Sequence, residues 1–373
     1  MNGSRERFKS ERCADLRQVL PKQDIERYGI RGMGLNWIKS YIENRKQFVQ
    51  MGDYKSTSST MTCGVPQGSI LGPILFILYI NDICKVSSIL KYVVFADDTN
   101  IFCAGENLQN MLKEASSELG ILKRWFDLNK LSLNLKKTKY MIFGNKLIPP
   151  NTQVELEIEG VKIERVYENM FLGVKIDHKL NWKSHIKHVR AKVARSVGVL
   201  GKARDVLNYK SLLTLYNTLI LPYLSYCLEV WGNTYSSNLQ PLCIIQKRAI
   251  RIIHKAGFHD HTNNLFLKSC IMKLPDLSVF KTAQFMFRAR NKLLPENILE
   301  MFKDRGDGGY RLRWELNFKQ PSVQTTRKSM CISVCGVRIW NSLTEEIKHS
   351  KNILQFKKRL KSSILAKYSI AVS

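Results

Sequence analysis

Asp97 and Asp98 are the residues of this chain best suited to chemistry. They follow Lys91-Tyr-Val-Val-Phe-Ala96 and precede Thr99-Asn-Ile-Phe102. Two adjacent carboxylates repel each other and need a cation. Their hard oxygens suit Mg²⁺ or Mn²⁺, and Mg²⁺ typically takes one or two carboxylates together with substrate phosphates. Such a site can serve an in-line phosphoryl displacement with two metal ions. The run Tyr92 to Phe95 is rich in strand formers, so the acids are expected at the tip of a tight β-hairpin. A plainer reading stands beside this one: a type I′ turn that uses Asp because Asp tolerates positive φ.

A second chemical stretch lies upstream, Cys63-Gly64-Val-Pro66-Gln67-Gly68-Ser69. Gly64 and Gly68 allow close backbone approach to a ligand, and Pro66 stiffens the turn. Gln67 can both donate and accept through its amide. A helix beginning after Ser69 would aim its unpaired N–H groups at phosphate. The same residues also read simply as a helix start, with Ser69 as cap and Pro73 in the first turn. Downstream stand Asn134-Leu-Lys-Lys137-Thr138 and Phe171-Leu-Gly173-Val174.

Taken in order, this set resembles the reverse transcriptases of non-LTR retrotransposons, most closely the jockey-like LINE group. Gly-Val-Pro-Gln-Gly-Ser is similar to that family's motif B, Phe-Ala-Asp-Asp to motif C, Asn134-x-x-Lys137-Thr138 to motif D and Phe171-Leu-Gly173 to motif E. The resemblance runs from about Gln23 into the C-terminal part, where Trp231 and Arg338-Ile-Trp340-Asn-Ser-Leu343 are also family-like. It implies attack of a primer 3′-hydroxyl on the α-phosphate of a dNTP, with pyrophosphate leaving. Asp97 and Asp98 then hold Mg²⁺ or Mn²⁺, and Lys137 neutralises or protonates the pyrophosphate. Gly64, Pro66, Gln67, Gly68 and Ser69 hold the templating base and the nucleotide. The implied partners are an RNA template and an RNA–DNA hybrid.

One departure bears on activity. The family carries a further metal-binding Asp on motif A, within Ala-Phe-Asp. Here that place is held by Glu11-Arg-Cys-Ala-Asp15-Leu-Arg, with no apolar strand before it and no Phe. The chain is therefore expected to be truncated within or upstream of motif A, with an incomplete two-metal site and impaired catalysis. The competing expectation is a non-catalytic RNA- or DNA-binding remnant that keeps the fold.

Composition favours a polyanionic partner in either case. Lys and Arg number 59 against 31 Asp and Glu, a formal charge of +28. That excess points to nucleic acid before an acidic membrane surface. No apolar run approaches the length of a membrane span, and the N-terminus lacks the apolar core of a signal peptide. No basic helix carries the exposed large apolars of a membrane-surface anchor. The 9 cysteines are scattered and odd in number, which suits reduced thiols in an intracellular protein. Nucleus and cytoplasmic ribonucleoprotein both remain open. Cys331-x-x-x-Cys335 and His254, His259 and His261 do not meet the ligand spacing of structural zinc.

The elements that must position these residues follow from periodicity. Leu35, Ile38, Tyr41 and Ile42 mark a helix that Arg45 and Lys46 should end. Leu108 to Phe126 carries a long amphipathic helix, with Trp125 in or near the core. Lys139 to Phe143 reads as a strand, and Glu159-Gly160 as a hairpin turn. Beyond Asp177 the chain turns helical and basic. Trp182, Ile186, Val189, Val193, Val197 and Leu200 form an apolar stripe, with Lys183, Lys187, Arg190 and Arg195 on other faces. A helix near Leu239 to His254 exposes Lys247, Arg248 and Arg251. These cations are expected to clamp nucleic acid; a merely solvated helix surface is the alternative.

The fold class expected is α+β. An incomplete right-hand polymerase palm, with an antiparallel sheet and packed helices, precedes a mostly helical thumb and C-terminal domain. The divisions are an atypical segment at 1–22, a partial fingers and palm domain at 23–177, a thumb-like domain at 178–260 and a basic C-terminal domain at 261–373.

Overall fold

The computed structural model describes residues 26–61, 65, 68–144, 155–304 and 316–370. The chain divides into two compact units, Met1–Val166 and Tyr167–Ser373. Both mix helices with small sheets in the first unit and at the start of the second, so the α+β class holds at that level. The strands pair two by two, in six two-stranded sheets, rather than as one palm sheet among the described residues. Five are antiparallel, and 139–140 with 164–165 is parallel.

In the first unit, α1 (Met33–Ile42) buries Leu35 and Ile38. It ends before Arg45 and Lys46, because Glu43 is extended and Asn44 has φ 54°. The two cations therefore lie past the helix, and the Arg45 guanidinium stacks over the Tyr41 ring at 4.8 Å. α2 (Leu71–Ile80) is apolar all round and buries Gly72, Leu75, Tyr79 and Ile80. Tyr79 donates from its hydroxyl to the Asn129 carbonyl, and burial pushes its phenol up to about 12.

The hairpin β1 (Lys91–Phe95) and β2 (Asp98–Phe102) follows a short 3₁₀ turn, Asn81–Lys85. Side chains alternate across a strand. Tyr92, Val94 and Ile101 therefore turn inward and pack with Ile80, Ile83, Leu122 and Phe126. α3 (Leu108–Leu128) supplies the last two and is capped by Asn107, whose side chain accepts from the N–H groups of Gln109 and Asn110. Trp125 packs half-buried against the same cluster, which makes it core edge. The strand expected at 139–143 reduces to Lys139–Tyr140. The hairpin of β3 (Glu157–Ile158) and β4 (Val161–Lys162) turns at Glu159 and Gly160. Their φ of 50° and 76° fit the type I′ geometry that matches strand twist.

The second unit opens with the hairpin β5 (Glu168–Phe171) and β6 (Val174–Asp177). Leu172 and Gly173 turn it at φ 44° and 80°. The helices α4 (Lys183–Ala203), α5 (Tyr209–Leu219), α6 (Ser236–Ile253), α7 (Leu274–Arg290), α8 (Ile332–Asn341) and α9 (Ile353–Ile370) follow. One buried cluster runs from Ile186 on α4 to Tyr368 on α9, drawing on residues from both sides of position 260. All of the apolar stripe expected on α4 is in it, with Trp182 half-buried at its margin.

Several polar groups inside this core are paired, although the Ser278 hydroxyl and His185 Nε2 are buried without a partner. Gln246 donates to the Tyr216 hydroxyl and the Met272 carbonyl and accepts from the Leu274 N–H, so α5, α6 and α7 meet on one amide. Trp231 and Trp340 are fully buried, each donating its indole N–H to a carbonyl, of Tyr226 and of Leu316. Asn341 exchanges two bonds with the backbone of Phe318. Within the Arg338 to Leu343 stretch, Trp340 and Asn341 therefore serve packing and backbone pairing.

Candidate carboxylate site and nucleic-acid face

The register Phe95↔Asp98 leaves Ala96 and Asp97 as a two-residue turn. Its left-handed residue is Ala96, at φ 51°; Asp97 and Asp98 do not share that conformation. A type I′ turn, which needs positive φ at both central positions, is therefore excluded. Positive φ tolerance does not explain either acid, because the strained position is held by alanine. Both carboxylates are exposed. No ion pair engages them among the described residues. The hairpin that carries them is anchored by its inner face, so the acids sit on a supported tip.

Asp98 shares the outer face of the hairpin with Val93, Phe95, Asn100 and Phe102, given the register and the pleat. Val93, Phe95 and Phe102 are exposed there. Among the described residues no group of three or more His, Cys, Asp or Glu side chains is arranged to hold a metal ion. Two hard carboxylates suit a divalent cation in kind, but a closed cage needs further oxygens. Asp15 lies outside the described residues.

The loop ahead of α2 is described only in part. Gly64, Pro66 and Gln67 lie outside the described residues. Gly68 has φ +81° with nothing within 4 Å of where a Cβ would stand. Its neighbour Ser69 accepts from the Gly72 N–H at 3.1 Å, which satisfies one of the unpaired donors of the first helical turn. Lys137 is exposed on a separate turn. Asn134 builds that turn, its carbonyl accepting from the N–H groups of Lys137 and Thr138 at 3.1 and 3.0 Å. The Asn134 side chain accepts from the Lys137 N–H as well.

In the second unit, Asp177 fixes the entry into α4. Its buried carboxylate accepts from the N–H groups of Lys179, Asn181 and Trp182. Sequence reading missed this role, because Asp177 looked like a boundary residue. Tyr226 secures the β5–β6 turn by donating to the Leu172 carbonyl at 2.6 Å. From this base α4 projects Lys183, Lys187, Arg190 and Arg195, all exposed. On α6 Arg248 is exposed, whereas Lys247 and Arg251 are half-buried. Arg251 donates to the Asp260 carbonyl at 3.0 Å. No ion pair among the described residues engages any of these seven cations. The nearby Glu168 is engaged instead by Lys175 and by the Ser184 hydroxyl, which keep that carboxyl below its usual range.

Residues 18–176 match the family described as reverse transcriptase (RNA-dependent DNA polymerase). The chain is 26% identical over 293 residues to the probable RNA-directed DNA polymerase from transposon BS of Drosophila melanogaster, covering 72% of this chain and 32% of that protein. It is 25% identical over 250 residues to the RNA-directed DNA polymerase from mobile element jockey of the same species, covering 64% and 27%. It is also 29% identical over 181 residues to a Pol polyprotein from a type-1 retrotransposable element R1 of Nasonia vitripennis, covering 45% and 43%. The chain thus spans a third or less of the length of the first two.

Proposed function

We propose that this chain is part of an RNA-directed DNA polymerase of non-LTR retrotransposon type, a reading supported by the reverse-transcriptase match over residues 18–176 and by the similarity to transposon polymerases. The single observation that carries this is the hairpin tip, where adjacent carboxylates stand exposed on a turn whose conformation does not call for them. Asp97 and Asp98 would hold Mg²⁺ or Mn²⁺, whose contribution when bound is to neutralise phosphate charge and favour the attacking and leaving oxygens. Lys137 would meet the negative charge of the departing pyrophosphate. Gly68 and Ser69, with Gly64, Pro66 and Gln67, would form the floor for template base and dNTP. Lys183, Lys187, Arg190 and Arg195, with Lys247, Arg248 and Arg251, would bind the phosphates of template RNA and of the RNA–DNA hybrid. No helix among the described residues is long and apolar enough to cross a membrane.

A second reading, polynucleotide binding without turnover, is favoured by one observation: the described residues bring no third carboxylate to Asp97 and Asp98. These 373 residues, taken by themselves, should therefore extend primers poorly yet bind RNA well. The test is primer extension on an RNA template with purified protein, run beside a salt titration of RNA binding. Binding should weaken with a log–log slope of roughly −0.7 to −0.9 per phosphate contacted. Lys187→Ala with Arg190→Ala and Arg195→Ala should flatten that slope. Strong extension lost in Asp15→Ala would assign the missing carboxylate to Asp15 and sink the idea of impairment. Affinity indifferent to salt would sink the nucleic-acid face.

A further inference from the structure

The C-terminal ends of α4 and α6 enclose a cleft of about 490 Å³ whose features the carboxylate site does not explain. Four cationic side chains line it, Lys202, Arg204, Arg248 and Arg251. No ion pair among the described residues engages them. Lys202 and Arg248 are exposed. The other two are turned to building the wall. Arg251 donates to the Asp260 carbonyl at 3.0 Å and Arg204 to the Ala256 carbonyl at 3.4 Å. The nearby carboxylate of Asp260 is occupied by the Gly257 N–H at 2.7 Å. These bonds hold a short loop in place, and that loop presents Phe258 at the cleft with 77% of its surface exposed.

The floor is as unusual as the wall. Gly198 and Gly201 lie three residues apart on α4, hence on one face. A glycine inside a helix is less stable than alanine there, so it asks for a reason. At Gly198 a Cβ would meet nothing within 4 Å, and at Gly201 only the end of Ile252 at 3.8 Å. Neither glycine is therefore needed for helix packing, and both leave open space in the lining of the cleft that Phe258 shares. By helical periodicity the same face carries Lys187, Arg190 and Ala194. A basic track thus runs along α4 and ends in the cleft.

A glycine-lined opening, an exposed aromatic on a braced loop and cations without ion-pair partners among the described residues suit a planar base joined to phosphates. We infer that this cleft captures a nucleotide of a single-stranded polynucleotide, the base against Phe258 over Gly198 and Gly201 and the flanking phosphates at Lys202 and Arg248. Each base stacked on an aromatic contributes strongly to single-strand binding, whatever its identity. A duplex keeps its bases stacked inside and cannot offer one to the ring. This assignment rests on the nucleic-acid reading above and adds which strand form is read and where.

Fluorescence anisotropy with labelled single strands of about twelve nucleotides, within the usual site size, tests it against the same sequence as a duplex. The full chain is compared with Phe258→Ala, Phe258→Trp and Gly198→Leu. Phe258→Ala should weaken single-strand binding by roughly tenfold, leave duplex binding unchanged and be rescued by Phe258→Trp. Gly198→Leu should fill the floor and weaken single-strand binding while the melting temperature holds or rises. Parallel RNA and DNA strands report whether the sugar matters. Parent-like single-strand affinity in both Phe258→Ala and Gly198→Leu would overturn the cleft while leaving the basic face intact. Equal losses for duplex would also overturn it, by showing that only phosphates are read. A parent chain that binds no polynucleotide would overturn both.

Discussion

His185 offers a quantitative test of how the basic helix is seated. It is 2% exposed in the first turn of α4. Its Nδ1 accepts the Lys175 N–H at 3.1 Å, which joins α4 to the hairpin strand β6. The ring stands edge-on to Trp231, with centroids 5.2 Å apart, and Nε2 is buried without a hydrogen-bond partner. A second proton on this ring would put an N–H against the Lys175 N–H and a buried charge beside Trp231. Burial first, then the nearby His188 and Lys192, lower its pKa from 6.5 to about 4. The unfolded chain takes up the proton near the ordinary value, so the contribution of the neutral ring is fully present above about pH 6.5. It is lost as pH falls through the window down to about 4, below which both states are protonated. At 1.36 kcal/mol for each pH unit, the loss across the window is about 3 kcal/mol. Urea unfolding followed by circular dichroism, from pH 7.5 to 4.5, should show this in the parent. His185→Gln can still accept from Lys175 and does not titrate. The stability of parent relative to variant should therefore fall by about 2–3 kcal/mol between those limits. Carboxylates such as Glu168 titrate in both proteins and cancel. Parallel pH curves for parent and variant would refute the neutral, load-carrying imidazole.

Other outcomes follow from particular contacts. Mn²⁺ should broaden amide resonances around Asp97 and Asp98, more strongly when a dNTP supplies phosphate oxygens; broadening that survives Asp97→Asn with Asp98→Asn would place the ion elsewhere. At Ala96, φ 51° should rank stability as Gly at least equal to Ala and Ala above Val, with Val lower by about 1 kcal/mol or more; a Val variant as stable as the parent in chemical unfolding would contradict the left-handed turn. Gln246→Leu strands the Tyr216 hydroxyl and the Leu274 N–H inside the core. It should cost about 2–4 kcal/mol in the same assay, whereas a loss under 1 kcal/mol would mean the network is dispensable.

What the sequence determined by itself was local. Strand formers on either side of Asp97 and Asp98 specify a hairpin, since its register depends only on neighbouring φ angles and a two-residue turn. Glu159-Gly160 is legible for the same reason, and the spacing of Ile186, Val189, Val193, Val197 and Leu200 names the buried face of α4 before any partner is known. The order of the motif-like stretches was enough to indicate kinship. Local pattern was less exact at element ends: the helix expected to close on Arg45 and Lys46 stops at Ile42, and the strand from Lys139 keeps two residues. Tertiary structure decided what depends on residues far apart along the chain. It made Asp177 a helix-entry cap and Gln246 a three-way junction. It left His185 neutral against Trp231. It also drew Gly198, Lys202, Arg248 and Phe258 around one cleft, although they span two helices and a loop. Periodicity reports which face of a segment is apolar, but not which other segment meets that face, because the pairing is set by packing and polar satisfaction across the whole core.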